Sequence, residues 1–252
     1  MTISIADLEA AAAGGWRAPE EAPLGGWLLR AASGFTGRAN SALAAGDPGR
    51  PLAAAIQDVR DWYQARGLPA MIAVPFPLHR PHDSEVDRYL GQDGWTIRVA
   101  AATVMTAVPG AVAAPAAAVP VDIDAAPDAS WLARYHYRGQ ELPPIARRLL
   151  MSAPWQAFAS VREAGETLAI GRVAAAGDWA GLTAVEVHPR HRGRGFARAI
   201  TAALARSAAS RGVTGLYLQV EDDNTAARAL YATAGFTDHH GYHYRIAPAA
   251  GA

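Results

Sequence analysis

The chain has 252 residues, with 23 Lys+Arg against 23 Asp+Glu, so its formal net charge is zero. That balance argues against the broad basic surface needed for non-specific nucleic-acid binding. With no cysteine, disulfides, thiol nucleophiles and Cys-ligated metals are excluded.

The length allows one large domain or two small ones, each with a normal core. The N-terminus carries Asp7 and Glu9 and has no basic start. It reads as a short surface helix and not as a signal peptide. Residues 25–41, GGWLLRAASGFTGRANS, read as a strand–loop–strand hairpin, with Phe35, Arg38 and Asn40 as candidates to face the second half of the chain. A strand at 39–44, a helix at 51–66, a strand at 70–74 and a helix at 84–92 ending at Gly94 follow. Residues 95–108 read as one more strand. The uncharged run 99–121 is rich in alanine and is broken by Pro109, Gly110, Pro115 and Pro120. It cannot be a membrane span, which needs about 20 strongly apolar residues with an intact backbone. Residues 109–120 read instead as an Ala/Pro linker. A soluble, cytoplasmic protein with no membrane or nucleic-acid partner is expected.

Beyond the linker, a helix at 129–139 carries Trp131, Tyr135, His136 and Tyr137. These could line a substrate pocket, although aromatics at helical spacing more often belong to a core. A strand at 179–188, a helix at 195–211, a strand at 215–221 and a helix at 224–234 ending at Gly235 complete the pattern. The His-rich segment 238–244, DHHGYHY, reads more simply as strand and turn than as a metal cluster, and no metal is expected.

The two halves repeat one another. GRPLAAAI at 49–56 lies over GRGFARAI at 193–200 without a gap, and the strand–helix–strand–helix order is shared. Strands alternating with helices imply an α/β architecture with neighbouring parallel strands. The repeat suggests duplication.

The stretch VEVHPRHRGRGFARAI at 185–200 joins a strand to a helix N-terminus through Gly193 and Gly195, among His188, Arg190, His191, Arg192 and Arg194. The first amides of a helix have no intrahelical partner and sit at the positive end of its dipole. Glycines let a phosphate approach those amides, and arginines add charge. The loop fits a diphosphate, yet it lacks the Lys-Ser/Thr step of a P-loop and the spacing of the dinucleotide fingerprint. Further on, Asn224 fits a helix N-cap, and Tyr231, seven residues later, lies on the same helix face with Ala227 leaving a small gap.

Together these stretches resemble the GNAT superfamily of acyl-CoA-dependent N-acyltransferases. Arg192-Gly193-Arg194-Gly195-Phe196-Ala197 matches its Gln/Arg-x-x-Gly-x-Gly/Ala loop. Asn224, Ala227, Leu230, Tyr231, Gly235 and Phe236 match its N-x-x-A-x-x-L-Y-x-x-x-G-F pattern. The resemblance covers residues 119 to the C-terminus. Residues 25–41 and 242–245 further resemble a two-lobed actinobacterial subfamily. The resemblance implies tandem lobes, each a mixed twisted sheet flanked by helices. Residues 1–108 would form a degenerate lobe, 109–120 a linker and 121–252 the catalytic domain. It implies acetyl-CoA as acyl donor, with the amides of Arg192, Gly193, Arg194, Gly195, Phe196 and Ala197 on its pyrophosphate. The strand backbone at Val185 and Val187 would lie along its pantetheine arm, and Asn224 would position it. Tyr231 would protonate the departing thiolate, and Glu186 or His188 would take the proton of an attacking amine. The acceptor would be a small-molecule or peptide amine.

In the N-terminal copy, Gly195 corresponds to Pro51, Arg192 to Pro48 and Tyr231 to Leu90. Proline has no amide hydrogen and leucine has no proton to give. The N-terminal half therefore reads as a lobe that no longer binds the acyl donor. It would serve structure, the acceptor pocket or a homodimer contact. The alignment also implies that the fold accepts proline at position 195. The competing reading is a non-catalytic acyl-CoA-binding regulatory module, which would keep the loop but need no acid or base.

Overall fold

The computed structural model describes residues 3–80, 84–98, 101–116, 119–136 and 142–248. The first half runs α1 (Ile5–Gly15), β1 (Glu20–Leu24), β2 (Trp27–Ala31), β3 (Ala42–Leu43), α2 (Leu52–Gln64), β4 (Met71–Phe76), α3 (Glu85–Gln92), β5 (Thr96–Ile97) and β6 (Ala102–Ala107). The second half begins with β7 (Asp122–Asp124), α4 (Ala129–Arg134), α5 (Ile145–Leu150), β8 (Trp155–Glu163), β9 (Glu166–Ala176) and β10 (Trp179–Val187). It continues with α6 (Phe196–Ala209), β11 (Gly215–Glu221), α7 (Thr225–Thr233) and β12 (Thr237–Ile246).

The strands form one mixed sheet in the order β1-β2-β3-β4-β12-β6-β11-β10-β9-β8-β7, with β5 paired to β12. Among the described residues, two neighbouring pairs are parallel: β3 with β4 and β10 with β11. Each is joined by one helix of the repeat, α2 or α6, as a right-handed crossover requires. The α/β architecture with a mixed sheet flanked by helices is therefore present, and the repeated strand–helix–strand–helix order is visible in it.

The sequence cut at 109–120 does not separate two units in space. β6, which precedes the cut, lies antiparallel to β11 in the second half, with Ala102 to Ala107 opposite Glu221 to Leu216. β12, at the end of the chain, lies antiparallel to β4 in the first half, from Gly241↔Phe76 to Ile246↔Met71. Each half thus lends its last long strand to the other. The linker itself is not a free spacer. The Ala113 amide donates to the Ala234 carbonyl oxygen at 3.1 Å, and Val112, Val119 and Val121 pack on the core beneath α6.

Several local expectations need correction. The segment 95–108 is two strands, β5 and β6, with residues 99 and 100 outside the described residues. The first helix is not a surface element. α1 is capped by Ser4, whose hydroxyl accepts the Asp7 amide, but Leu8 and Ala13 are buried and the helix lies across β9 and β10. Its Glu9 is itself buried against His240, 2.8 Å away, so the acidic residue that suggested a surface is half of an internal pair. In 25–41 the hairpin is β1–β2, turning at Gly25 and Gly26, and the following loop is knotted by Asn40. The Asn40 Oδ1 accepts the amides of Ala32 and Gly34, while Nδ2 donates to the carbonyls of Phe35 and Thr36. The helix at 129–139 ends at Arg134, Tyr135 is its C-cap, and Tyr137 lies outside the described residues.

The long β8–β9 hairpin is the centre of the second half. Its inward side chains, among them Ala157, Ala159, Val161, Leu168, Ala169 and Val173, pack under Ile200, Leu204 and Ala208 of α6. A second core in the first half packs Ile56, Val59 and Tyr63 of α2 on Trp27, Ile72 and Leu90. A third joins the halves, with Trp16 and Phe35 against Trp131, Leu149 and Phe158. Arg172 on β9 is wholly buried at that junction. Its guanidinium donates to the carbonyls of Leu150 (2.7 Å) and Gly15 (3.1 Å), and it stacks 5.1 Å from the Trp16 ring. Desolvation lowers its pKa to about 10, which leaves it charged at neutral pH.

Candidate active site

The site begins with a break in the sheet. β10 and β11 pair in parallel from Trp179↔Gly215 to Leu182↔Leu218 and no further. On its other side β10 stays paired to β9, but the register shifts between Thr183 and Glu186, and Ala184 takes a positive φ of 54°. A non-glycine residue in that region is strained and occurs where surrounding structure holds it. The bulge turns the end of β10 away from β11. A cleft of about 550 Å³ opens between the two strands.

Six segments converge on this cleft, among them Arg38 from the first half and Tyr135 and His136 at the end of α4. Ala184, Val185 and Glu186 come from the bulged end of β10, and Gln219 to Glu221 from β11. Asn224, Ala227 and Tyr231 come from α7, and Arg192 from the glycine loop. His188 and Val187 lie just beyond. His188 is not on the cleft wall: its Nδ1 accepts the Arg190 amide and caps the short 3-10 turn Pro189–His191. Its imidazole pKa is lowered by partial desolvation, then by the nearby charges of Arg134, His191 and Arg190.

The glycine loop has the backbone needed to hold an anion. Gly193 and Gly195 have φ of 78° and 81°, and Gly195 is the residue from which α6 starts. A Cβ at Gly193 would meet nothing within 4 Å, and at Gly195 only Pro115 at 3.9 Å, so both amides are approachable. The first α6 bond runs from the Ala199 amide to the Gly195 carbonyl. The amides of Phe196, Ala197 and Arg198 therefore have no intrahelical acceptor. Phe196 turns its ring into the core, at 4% exposure. Arg194 does not point at the cleft. It forms a double hydrogen bond with Glu163, 2.8 and 3.2 Å, and lies over the Phe196 ring. Arg192 lines the cleft and, among the described residues, has no ion pair.

Asn224 caps α7, its Oδ1 accepting the Ala227 amide at 3.1 Å. One helix turn and more below, Tyr231 is half-buried and stands edge-on to Phe236, 5.8 Å between ring centres. Among the described residues nothing hydrogen-bonds its hydroxyl. Burial pushes the phenol up to about 12, so it keeps its proton at neutral pH. Glu186 faces His136, whose backbone amide donates to Oε2 at 2.9 Å and whose Nδ1 lies 3.1 Å from Oε1. From the first half, Arg38 reaches across to donate to Gln219 on β11 at 2.7 Å. Of the three residues expected to face the second half, Arg38 and Phe35 do so, while Asn40 ties its own loop. The contact of His136 with Glu186 had no sequence signal, because 50 residues separate the partners. Among the described residues, no group of three or more His, Asp or Glu could hold a metal, and no helix is long and apolar enough to cross a membrane.

A parallel strand pair splayed open at a bulge, fed by a glycine loop and closed by an Asn-capped helix, defines the GNAT class of N-acetyltransferases. The solved structures agree. A GCN5-related N-acetyltransferase from Kribbella flavida superposes with a TM-score of 0.73 at 18% identity, covering 98% of this chain and 96% of that one. A tandem GNAT protein from the clavulanic acid biosynthesis pathway superposes with a TM-score of 0.63 at 15% identity, covering 82% of this chain and 74% of its own. Residues 2–245 match the family described as "Probable histone acetyltransferase Rv0428c C-terminal", and the chain belongs to that family. It is 33% identical to the probable histone acetyltransferase Rv0428c of Mycobacterium tuberculosis, over 98% of this chain and 75% of that protein. It is 27% identical to the N-acetyltransferase YobR of Bacillus subtilis, over 96% and 98%.

Proposed function

We propose that this N-acetyltransferase moves an acetyl group from acetyl-CoA to a primary amine by direct attack, in the second half of the chain alone. The observation that carries the reading is the splayed end of β10. There an unpaired strand edge, approachable loop amides, a protonated Tyr231 and the carboxylate of Glu186 face one cleft. The residues present fit the donor. The open backbone at Gly193 and Gly195 and the α6 amides suit a pyrophosphate, with Arg192 adding charge and Arg194 contributing only its amide. Among the described residues, the β10 backbone at Val185 and Val187 pairs with no strand on its β11 side, which suits an amide-bearing pantetheine arm. Asn224 holds the α7 end beside it.

Within that arrangement the amine must attack in its neutral form, and its proton leaves toward Glu186 and the imidazole bound to it. Tyr231 supplies the proton to the departing thiolate. The burial that keeps Tyr231 protonated also makes it a weak acid, so it acts as sulfur takes on charge. The acceptor is an amine of a small molecule or a peptide; the mycobacterial relative's name points to the latter. A cytoplasmic location accords with a chain that has no cysteine.

The test is calorimetry with acetyl-CoA followed by thiol release against a panel of primary amines, lysine peptides included. Tight binding with amine-dependent release is expected. Binding without release by any amine would instead favour an acyl-CoA-responsive regulatory module.

A further inference from the structure

Both oxygens of Glu186 are committed to His136. Oε2 accepts its backbone amide, and Oε1 lies 3.1 Å from its Nδ1. The same Nδ1 lies 2.8 Å from the carbonyl oxygen of Arg134. A carbonyl oxygen can only accept, so Nδ1 must carry the proton, shared between that carbonyl and the carboxylate. In the neutral ring Nε2 then keeps its lone pair. Among the described residues no hydrogen bond uses Nε2. The ring is 45% exposed and lines the same cleft as Tyr231 and the bulged backbone at Ala184. It also lines a second cavity of about 520 Å³, bounded by Leu132, Leu142, Pro143 and Arg147. His136 thus stands between the cleft that suits the donor and a separate space open to another molecule.

We infer that His136 is the general base of the acyl transfer and that Glu186 is its positioning residue. The inference rests on the acyl-transfer reading above and assigns its base. The amine nitrogen forms the C–N bond to the thioester carbonyl carbon, and the C–S bond breaks. The proton lost from nitrogen goes to His136 Nε2, and the sulfur receives the Tyr231 proton. Between turnovers, solvent carries the imidazolium proton back to the tyrosinate. Glu186 fixes the ring's tautomer and orientation and stabilises its charged form. Around the imidazole, Arg134 flanks it in sequence, Arg38, Arg192 and Glu221 line the cleft, and Arg147 lines the second cavity. Glu186 is the carboxylate in hydrogen-bonding reach.

Nitrogen-15 NMR of the full chain, with His136 assigned by its loss in His136→Gln, reads the tautomer directly. The proton is expected on Nδ1 at neutral pH, and a proton on Nε2 instead would overturn the inference. In Glu186→Gln the same spectrum should show a smaller Nδ1-protonated fraction, because only the Arg134 carbonyl still holds that proton. With the acceptor found for the wild type, His136→Gln should lower kcat by about 10²–10⁴ while calorimetry gives an unchanged acetyl-CoA affinity. Glu186→Gln should lose less, with the loss in kcat and not in KM. Wild type that binds acetyl-CoA yet acylates no amine overturns the transfer reading and the base with it. A His136→Gln variant that turns over as fast as the wild type overturns the base alone.

Discussion

At Gly193 and Gly49 the two halves share a left-handed backbone, with φ of 78° and 73°. The following arginines are both drawn away, Arg194 to Glu163 and Arg50 to Asp58. Two residues further the halves part. Gly195 enters α6 at φ 81° and ψ 2°, whereas Pro51 enters α2 at φ −52° and ψ 136°. The proline removes an amide and also brings the chain onto its helix from another direction. The second helices diverge in the same sense. Tyr231 lines a cleft with a hydroxyl that no described residue hydrogen-bonds, while Leu90 is fully buried in the first-half core. One copy of the repeat keeps an opening and the other fills it. The comparison also shows that position 195 does not accept proline as position 51 does, since a proline φ near −65° cannot meet a φ of 81°.

The largest effect that would test this contrast is at Tyr231. Tyr231→Phe keeps the packing against Phe236 and removes the proton. Amine-dependent thiol release should fall by about 10²–10⁴, or roughly 3–5 kcal/mol of barrier, with little change in acetyl-CoA affinity. Full turnover in the variant would leave the two α-helices equivalent in chemistry and break the comparison.

Next comes the exchanged strand. Asp87 at the start of α3 accepts from His243 (2.6 Å) and twice from Arg245 (2.8 and 3.0 Å), both on β12. Burial alone would raise its pKa, but the bonds from Arg245 and His243 and their charges outweigh it and hold the carboxyl below the usual value. A depressed carboxylate stabilises the fold fully above its unfolded value of about 3.9 and loses that contribution as pH falls through the folded value beneath it. Circular dichroism should therefore show acid unfolding setting in below about pH 4. Asp87→Ala should lower stability in denaturant melts at neutral pH by about 3–5 kcal/mol, by removing the carboxylate that pairs with the mostly buried Arg245 guanidinium and accepts from His243. A change under 1 kcal/mol would mean that β12 is not held by this cluster.

A matched pair of loop variants sharpens the contrast at a smaller scale. Gly195→Ala places a side chain in the left-handed region at a strain of about 1–2 kcal/mol and crowds the loop amides. Acetyl-CoA affinity should drop about tenfold by calorimetry, while Gly49→Ala, under equal strain, should leave it unchanged. Equal losses would point to folding rather than to the anion site. The smallest reading is a count: the wild type should bind one acetyl-CoA per chain, and a second site would restore the first half to function.

Much of this was legible in the sequence because its signals are local. A glycine loop feeding a helix, an Asn cap with a tyrosine seven residues on, and alternating strand and helix patterns each depend on neighbours within one or two turns. They placed α2, α6, α7, β10 and β11 within a few residues and singled out Arg192, Asn224, Tyr231 and Glu186, which the fold then brings into one cleft. What the sequence left open depends on partners far along the chain. Strand pairing between β6 and β11, or β12 and β4, spans more than 100 residues and leaves no periodicity that names the partner. Glu9 looked like a surface charge because only the fold puts His240 beside it. Ala184 carries no mark of its positive φ, since its bulge is imposed by β9 on one side and by the loss of β11 on the other. The join of His136 to Glu186 is of the same kind. Local chemistry determined which residues could act, and tertiary packing decided which of them meet.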